Sequence, residues 1–172
     1  VNLTVTAVND APVAADMVAT TPEDTALTVE LRPQGTDVDS SALTLEIIGA
    51  PAHGEFTLNA DGSYSYTPAA DFNGADTIRY RCSDGELVSN EATLTVSVTA
   101  VNDAPLANDA ALSLDEDNSL VIDLAGQVSD VDGDTLAIAI LAGPQHGTLT
   151  LNQDGSYTYT PALNYFGSDS FT

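Results

Sequence analysis

The sequence predicts an all-β chain of two tandem β-sandwich domains, the second truncated, and three observations predict it. The first is a repeat. Val8-Asn9-Asp10-Ala11-Pro12 recurs as Val101-Asn102-Asp103-Ala104-Pro105, His53-Gly54 as His146-Gly147, and Asp61-Gly62-Ser63-Tyr64 as Asp154-Gly155-Ser156-Tyr157. At this offset of 93 residues about 33 of 72 positions are identical without a gap, and so long a period is a small domain rather than a solenoid unit. The second is apolar–polar alternation of period two, with no convincing 3.6-residue period anywhere. The third is turn chemistry every 8–12 residues.

Residues 1–7, VNLTVTA, alternate and match Leu94–Ala100, so they read as the last strand of a preceding repeat. The first full repeat is expected to place strands at 12–20, 25–31, 42–49, 54–59, 63–67, 76–83 and 90–100. Asn59-Ala60-Asp61-Gly62 closes a hairpin, because Gly62 accepts a positive φ. Pro51 and Pro68 end strands, since proline donates nothing to a ladder. Asn73-Gly74 punctuates the connection before the sixth strand. Seven short strands in about 90 residues describe an immunoglobulin-like sandwich. The domain boundaries expected are 1–10 (final strand of a preceding repeat, plus linker), 11–103 (first repeat) and 104–172 (second repeat). The second repeat stops at the counterpart of Arg79. On this reading the chain is a window cut from a longer array, and the second repeat is destabilised or borrows a strand, with residues 1–7 as the evident donor.

Alternation assigns the core. Leu27, Val29 and Leu31 share a face, as do Leu43, Leu45 and Ile47, Tyr64 and Tyr66, and Ile78, Tyr80 and Cys82. Arg79 and Arg81 face solvent. Tyr80 precedes Cys82 by two residues on the sixth strand, as in the tyrosine corner of immunoglobulin-type sandwiches. Cys82 is the sole cysteine. It is expected to be a buried, inert thiol.

Charge excludes some functions. The chain carries 26 acidic residues against 3 basic ones, a net charge of −23. Nucleic acid is therefore an improbable partner, because phosphate binding needs Lys and Arg. Such self-repulsion calls for high salt or bound cations. No apolar run reaches the roughly 18 residues of a membrane span, and no leader peptide is evident. No nucleophile elbow or triad stands out, so the chain reads as a non-enzyme.

The acids gather at expected junctions and end loops. Asp130-Val131-Asp132-Gly133-Asp134 is a D-x-D-G-D loop, and Asp37-Val38-Asp39 is its two-carboxylate counterpart. Alternate carboxylates on a loop bent at glycine can line an oxygen-rich concavity of the kind Ca²⁺ takes. A solvated acidic turn is the plainer alternative. His53 and His146 each precede glycine and have no second histidine or cysteine nearby, which argues for a turn role rather than zinc. Tyr64, Tyr66, Tyr157 and Tyr159 read as core, with a sugar-stacking face as the alternative.

The run Cys82-Ser83-Asp84-Gly85, the alternating strand Asn90–Val98 and the linker Val101-Asn102-Asp103-Ala104-Pro105 together resemble the end of a cadherin repeat. With P-x-H-G and N-x-D-G-S-Y-x-Y-T-P added, the chain resembles more specifically the bacterial cadherin-like tandem repeats of large secreted, RTX-type adhesins. The resemblance implies Ca²⁺ at each junction. Carried over, one junction would use Glu23, Asn102, Asp103, Asp130 and Asp132, with Asp134 as a further ligand. The other would use Asn9, Asp10, Asp37, Asp39 and Asp84. Ala100 and Ala104 replace two linker ligands, and no L-D-R-E motif is present, Asp71 or Asp76 being its nearest substitute. Fewer ions per junction than in animal cadherins are therefore expected. The function implied is a calcium-stiffened extender of an extracellular or surface adhesin, each repeat adding roughly 35–45 Å. Its partners would be neighbouring repeats. A carbohydrate-binding or self-binding module is the alternative.

Overall fold

The computed structural model describes residues 1–29 and 36–172. The chain forms two compact units, Val1–Val101 and Asn102–Thr172. Among the described residues both are all-β apart from one 3₁₀ turn at Ala125–Gln127. No helix among the described residues is long and apolar enough to cross a membrane.

Among the described residues unit 1 has seven strands: β1 (Met17–Pro22), β2 (Leu27–Val29), β3 (Thr44–Gly49), β4 (Gly54–Leu58), β5 (Tyr64–Pro68), β6 (Gly74–Ser83) and β7 (Ala92–Thr99). They make a four-stranded sheet in the order β1-β7-β6-β3 and a three-stranded sheet in the order β2-β5-β4. Among the described residues, β1–β7 is parallel and the other strand pairs are antiparallel. The inward faces meet in one core of Val29, Tyr64, Tyr66, Ile78, Tyr80, Cys82, Leu94, Val96 and Val98, with Leu45, Ile47 and Phe56 half-buried against it. β7 throughout, and β6 from Ala75 onward, alternate between buried and more exposed residues. They are the central strands of their sheet, so one face of each carries the core. Arg79 and Arg81 lie on the other face and pair with Glu91 (3.4 Å) and Glu46 (2.7 Å). Burial pushes the Cys82 thiol pKa up.

The first strand differs from its sequence-based bounds. It begins at Met17 rather than residue 12, because the chain changes partners on the way in. Val13 bridges Thr36. The amide N–H of Ala14 then donates to Asn90 Oδ1, and Asn90 Nδ2 donates to the Ala14 carbonyl. Asp16 accepts from the Thr93 N–H, which delivers the chain to β7. The Tyr80 hydroxyl donates to the Ala15 carbonyl. That staples the incoming segment rather than the backbone just upstream of Tyr80, as a tyrosine corner would. The predicted second strand is seen at Leu27–Val29, and its continuation through Leu31 lies outside the described residues. β6 starts two residues early, at Gly74, whose φ of 134° lets the chain turn into the ladder.

Unit 2 repeats the smaller sheet. β9 (Leu120–Ile122), β11 (Gly147–Leu151) and β12 (Tyr157–Pro161) pair in the order β11-β12-β9. β8 (Leu106–Ala107) and β10 (Val128–Ser129) pair antiparallel where unit 1 has the Val13–Thr36 bridge. Ile122, Tyr157 and Tyr159 are buried. Residues 110–115 and 167–171, the counterparts of β1 and the start of β6, enter no strand pair. Thr172 exchanges backbone hydrogen bonds with Ala142, where unit 1 pairs β6 with β3.

Candidate functional site

The D-x-D loops and the linker segments are joined in the same way in both units. In unit 1 the Asp37 carboxylate accepts, through Oδ1, the N–H groups of Asp39 and Ser40, both at 2.7 Å. This is the Asx-type closure that short acidic loops favour. It aims the Asp39 side chain at the linker, where Asp39 Oδ2 accepts the Asp10 N–H at 2.9 Å. Asn9 turns the other way, its amide donating to Asp84 Oδ2 at 2.8 Å. Asp84 Oδ1 accepts the N–H groups of Glu86 and Leu87. Hydrogen bonds from Leu87, Glu86 and Asn9 hold the Asp84 carboxyl below the usual carboxylate range. Asn9, Asp10, Asp37, Asp39 and Asp84 are therefore linked through one short segment at one pole of unit 1.

In unit 2 Asp130 Oδ1 accepts from the N–H groups of Asp132 (3.0 Å) and Asp134 (3.3 Å). Gly133 supplies the bend with a φ of 78°. Asp132 Oδ2 accepts the Asp103 N–H at 2.7 Å. The Asn102 amide donates to the Asp103 carbonyl. Glu23 belongs to unit 1. It is 4% exposed, its N–H donates to the Thr99 carbonyl, and its Oε1 accepts the Val101 N–H.

One atom of this collar is not accounted for by hydrogen bonds. Asp37 Oδ2 is buried and has no hydrogen-bond partner among the described residues. A buried carboxylate oxygen without a donor costs free energy unless a cation or proton supplies the missing charge. The side chains of Asn9, Asp10, Asp37, Asp39 and Asp84 offer oxygen ligands, with no histidine or cysteine among them, which suits a hard cation such as Ca²⁺ better than Zn²⁺.

Two arrangements escaped the sequence reading. Asp24 and Asp71 both adopt positive φ, 55° and 58°, and Asp71 N–H donates to Asp24 Oδ1 at 3.2 Å. Asp117 and Asn164 repeat the clasp, with φ of 64° and 56° and a 2.9 Å bond. The second arrangement explains the His-Gly motif. Asp76, 3% exposed, accepts from the N–H groups of Ala52 and His53 (both 2.8 Å), Thr77 N–H (2.9 Å) and Tyr66 hydroxyl (3.0 Å). Burial raises the Asp76 pKa, but these bonds together outweigh it, and the carboxyl titrates below its ordinary value. Burial and Asp76 push the Tyr66 hydroxyl up to about 12. The His53 ring stacks on Phe72 at 4.4 Å. Asp169 holds Gln145, His146, Tyr159 and Ser170 likewise, and His146 stacks on Tyr165. With its oxygens so committed, Asp76 does not stand in for the missing L-D-R-E acid. The clamp was visible in sequence as the joint recurrence of His, Tyr and Asp at one offset.

Two all-β units, each with an acidic loop tied to its linker segment, define a tandem β-repeat protein. The profile of the bacterial cadherin-like domain matches residues 9–100 and 102–172, and the chain belongs to that family. No curated protein matches it. Among solved structures it is similar to the endo-fucoidan hydrolase MfFcnA4 of glycoside hydrolase family 107 (24% identity over 94% of this chain and 26% of that one, TM-score 0.43). It is also similar to protocadherin gammaB7 EC3-6 (16%, 89% and 40%, TM-score 0.43). A third is a SusE-like surface located polysaccharide binding protein of Bacteroides thetaiotaomicron (15%, 89% and 28%, TM-score 0.39). The chain thus spans less than half of each, and at these TM-scores the likeness bears no functional weight.

Proposed function

We propose that the chain is a calcium-stiffened structural extender of an extracellular or surface-attached bacterial adhesin. The observation that carries the reading is the repeated collar, in which Asp10 is tied to Asp39 and Asp103 to Asp132, with the orphaned Asp37 Oδ2 beside it. Asp37, Asp39, Asp10, Asn9 and Asp84 would hold Ca²⁺ at unit 1. Asp130, Asp132, Asp103 and Asn102 would hold it at unit 2, with Asp134 as a further ligand and Glu23 as the contribution of the preceding repeat. Bound Ca²⁺ supplies positive charge that neutralises carboxylates in a chain of net charge −23. The protein's part is to pre-arrange the loops by backbone hydrogen bonds, so that little ordering is left to the ion. The four tyrosines of the sugar-stacking alternative are buried at 0–9% exposure, which favours the extender.

The test is calorimetric titration with Ca²⁺, together with melting curves and small-angle scattering in calcium and in chelator. Saturable binding with a raised melting temperature and a straighter, stiffer particle supports the reading. No binding and no shift overturns it.

A further inference from the structure

Asn73-Gly74 takes no part in the candidate site, and Asn73 is the one asparagine of the chain followed by glycine. Chemistry singles that pair out. The backbone nitrogen of the residue after an asparagine can attack the side-chain carbonyl carbon and close a five-membered ring. A side chain on that following residue obstructs the approach, and glycine has none. The attack is intramolecular, so local geometry governs its rate.

The geometry at Asn73 is open. Asn73 and Gly74 are both exposed, and among the described residues the Asn73 amide makes no hydrogen bond. Gly74 is the first residue of β6 and faces Val98 at the end of the ladder, where pairs open most readily. The four Asp-Gly pairs of the chain, which close the same ring, are instead engaged. Asp61 and Asp154 accept from the N–H and hydroxyl of Ser63 and Ser156. The N–H groups of Gly62 and Gly155 donate to the Asn59 and Asn152 carbonyls. Asp84 accepts from Glu86 and Leu87 while the Gly85 N–H donates to Ser83 Oγ, and Asp132 accepts from the Asp103 N–H. The side-chain amides of Asn59 and Asn152 donate to Ser63 and Ser156. Unit 2 has Phe166 at the position of Asn73 and lacks the pair.

We propose that Asn73-Gly74 is a self-modification site, at which the folded protein deamidates and its main chain is rerouted. The Gly74 nitrogen bonds to Asn73 Cγ, the Cγ–Nδ2 bond breaks, and ammonia leaves with the Gly74 amide proton. Solvent water then opens the succinimide at either carbonyl. One opening leaves aspartate at position 73. The other routes the main chain through Cβ and Cγ as isoaspartate, so the backbone between Phe72 and Gly74 gains a carbon. Phe72 has little slack for that. Its ring stacks on His53 at 4.4 Å and lies 3.5 Å from where a Cβ on Gly74 would sit. Asp76, two residues beyond Gly74, holds the N–H groups of Ala52 and His53. Isoaspartate draws Phe72 away from His53 and loosens the clamp, whereas aspartate adds only a charge on an exposed loop.

The experiment incubates the whole folded chain at mildly alkaline pH and follows every asparagine by peptide mapping, with mass-spectrometric fragmentation that tells aspartate from isoaspartate. Asn73 is expected to convert about tenfold or more faster than Asn59 and Asn152, whose amide hydrogen bonds must break before attack. Isoaspartate is expected among the products. Asn73→Gln, which would have to close a six-membered ring, stays intact. The Asp-Gly pairs stay unchanged in the folded chain and isomerise once it is held in denaturant. The isoaspartate form, separated from the parent, melts at a lower temperature, while Asn73→Asp melts with the parent. An Asn73 that stays intact, or converts no faster than Asn59, overturns the proposal. An isoaspartate form that melts with Asn73→Asp overturns the rerouting's effect on the clamp.

Discussion

Asp39 accepts a hydrogen bond from the backbone N–H of Asp10 at 2.9 Å, and this bond ties the acidic loop of unit 1 to the linker segment. Its side chain is itself positioned by Asp37, through the Asp39 N–H. Removing one charge from this pair subtracts a hard oxygen donor while leaving the loop's backbone bonds to Asp37 in place. Asp39→Asn is expected to weaken Ca²⁺ binding about tenfold, or about 1.4 kcal/mol. Asp37→Asn also touches the loop closure and should cost more. Isothermal titration of each variant against the parent checks the order, and equal affinity in all three would remove Asp37 and Asp39 from the site.

The Asp76 clamp predicts a stability effect separate from calcium. Asp76→Asn replaces one acceptor oxygen by an N–H₂ group facing N–H donors. A buried donor left facing a donor is expensive, so the loss should be about 3 kcal/mol. Chemical denaturation measured in chelator isolates it. The sign with pH also follows. The Asp76 pKa is depressed in the folded state, so its contribution is present above the unfolded carboxylate range and fades as pH falls through the folded value. The Asn variant should lack that acid-limb loss.

Gly54 shows why the His-Gly pair cannot vary freely. A Cβ at this position would lie 2.6 Å from the Thr67 carbonyl oxygen and 2.7 Å from the Tyr66 ring. Backbone on one side and a clamped tyrosine on the other leave no room to yield. Gly54→Ala is expected to cost about 2–4 kcal/mol. Gly147→Ala meets Thr160 and Tyr159 in the same way. Gly62→Ala, with nothing within 4 Å, should cost less and through its φ of 88° alone. Melting curves of the three variants test the ranking.

The repeat and the alternation were enough to place β3 to β7 and the core row Ile78, Tyr80 and Cys82, because central strands buried on one face must alternate. The acidic loops were equally readable, since D-x-D spacing is local. What the sequence could not reveal was non-local pairing. The late start of β1 depends on Asn90, Thr93 and Tyr80, more than sixty residues away. The clamp joins His53, Tyr66 and Asp76, whose recurrence was plain but whose meeting point required the fold. Asp24 and Asp71 were separated by 47 residues, and neither carries a motif that announces a positive φ.

Tyr66 gives a prediction for alkaline solution. Its hydroxyl is fully buried and donates to Asp76 at 3.0 Å. Burial disfavours the phenolate, and ionisation would also lose the hydrogen bond to Asp76 and set two negative charges together, so its folded pKa rises from 10.0 to about 12. A raised folded pKa means the neutral form is bound more tightly by the fold. Its stabilisation is complete below pH 10 and is lost as pH climbs from there through about 12. Tyr66→Phe cannot ionise. It should be less stable than the parent near neutrality by about 1–2 kcal/mol, for the lost hydrogen bond to a charged acceptor. Between pH 10 and 12 the gap should narrow, because only the parent falls through this group. Denaturant melts of both proteins across that range decide it, and parallel curves would show that Tyr66 is not the group whose titration loosens the fold.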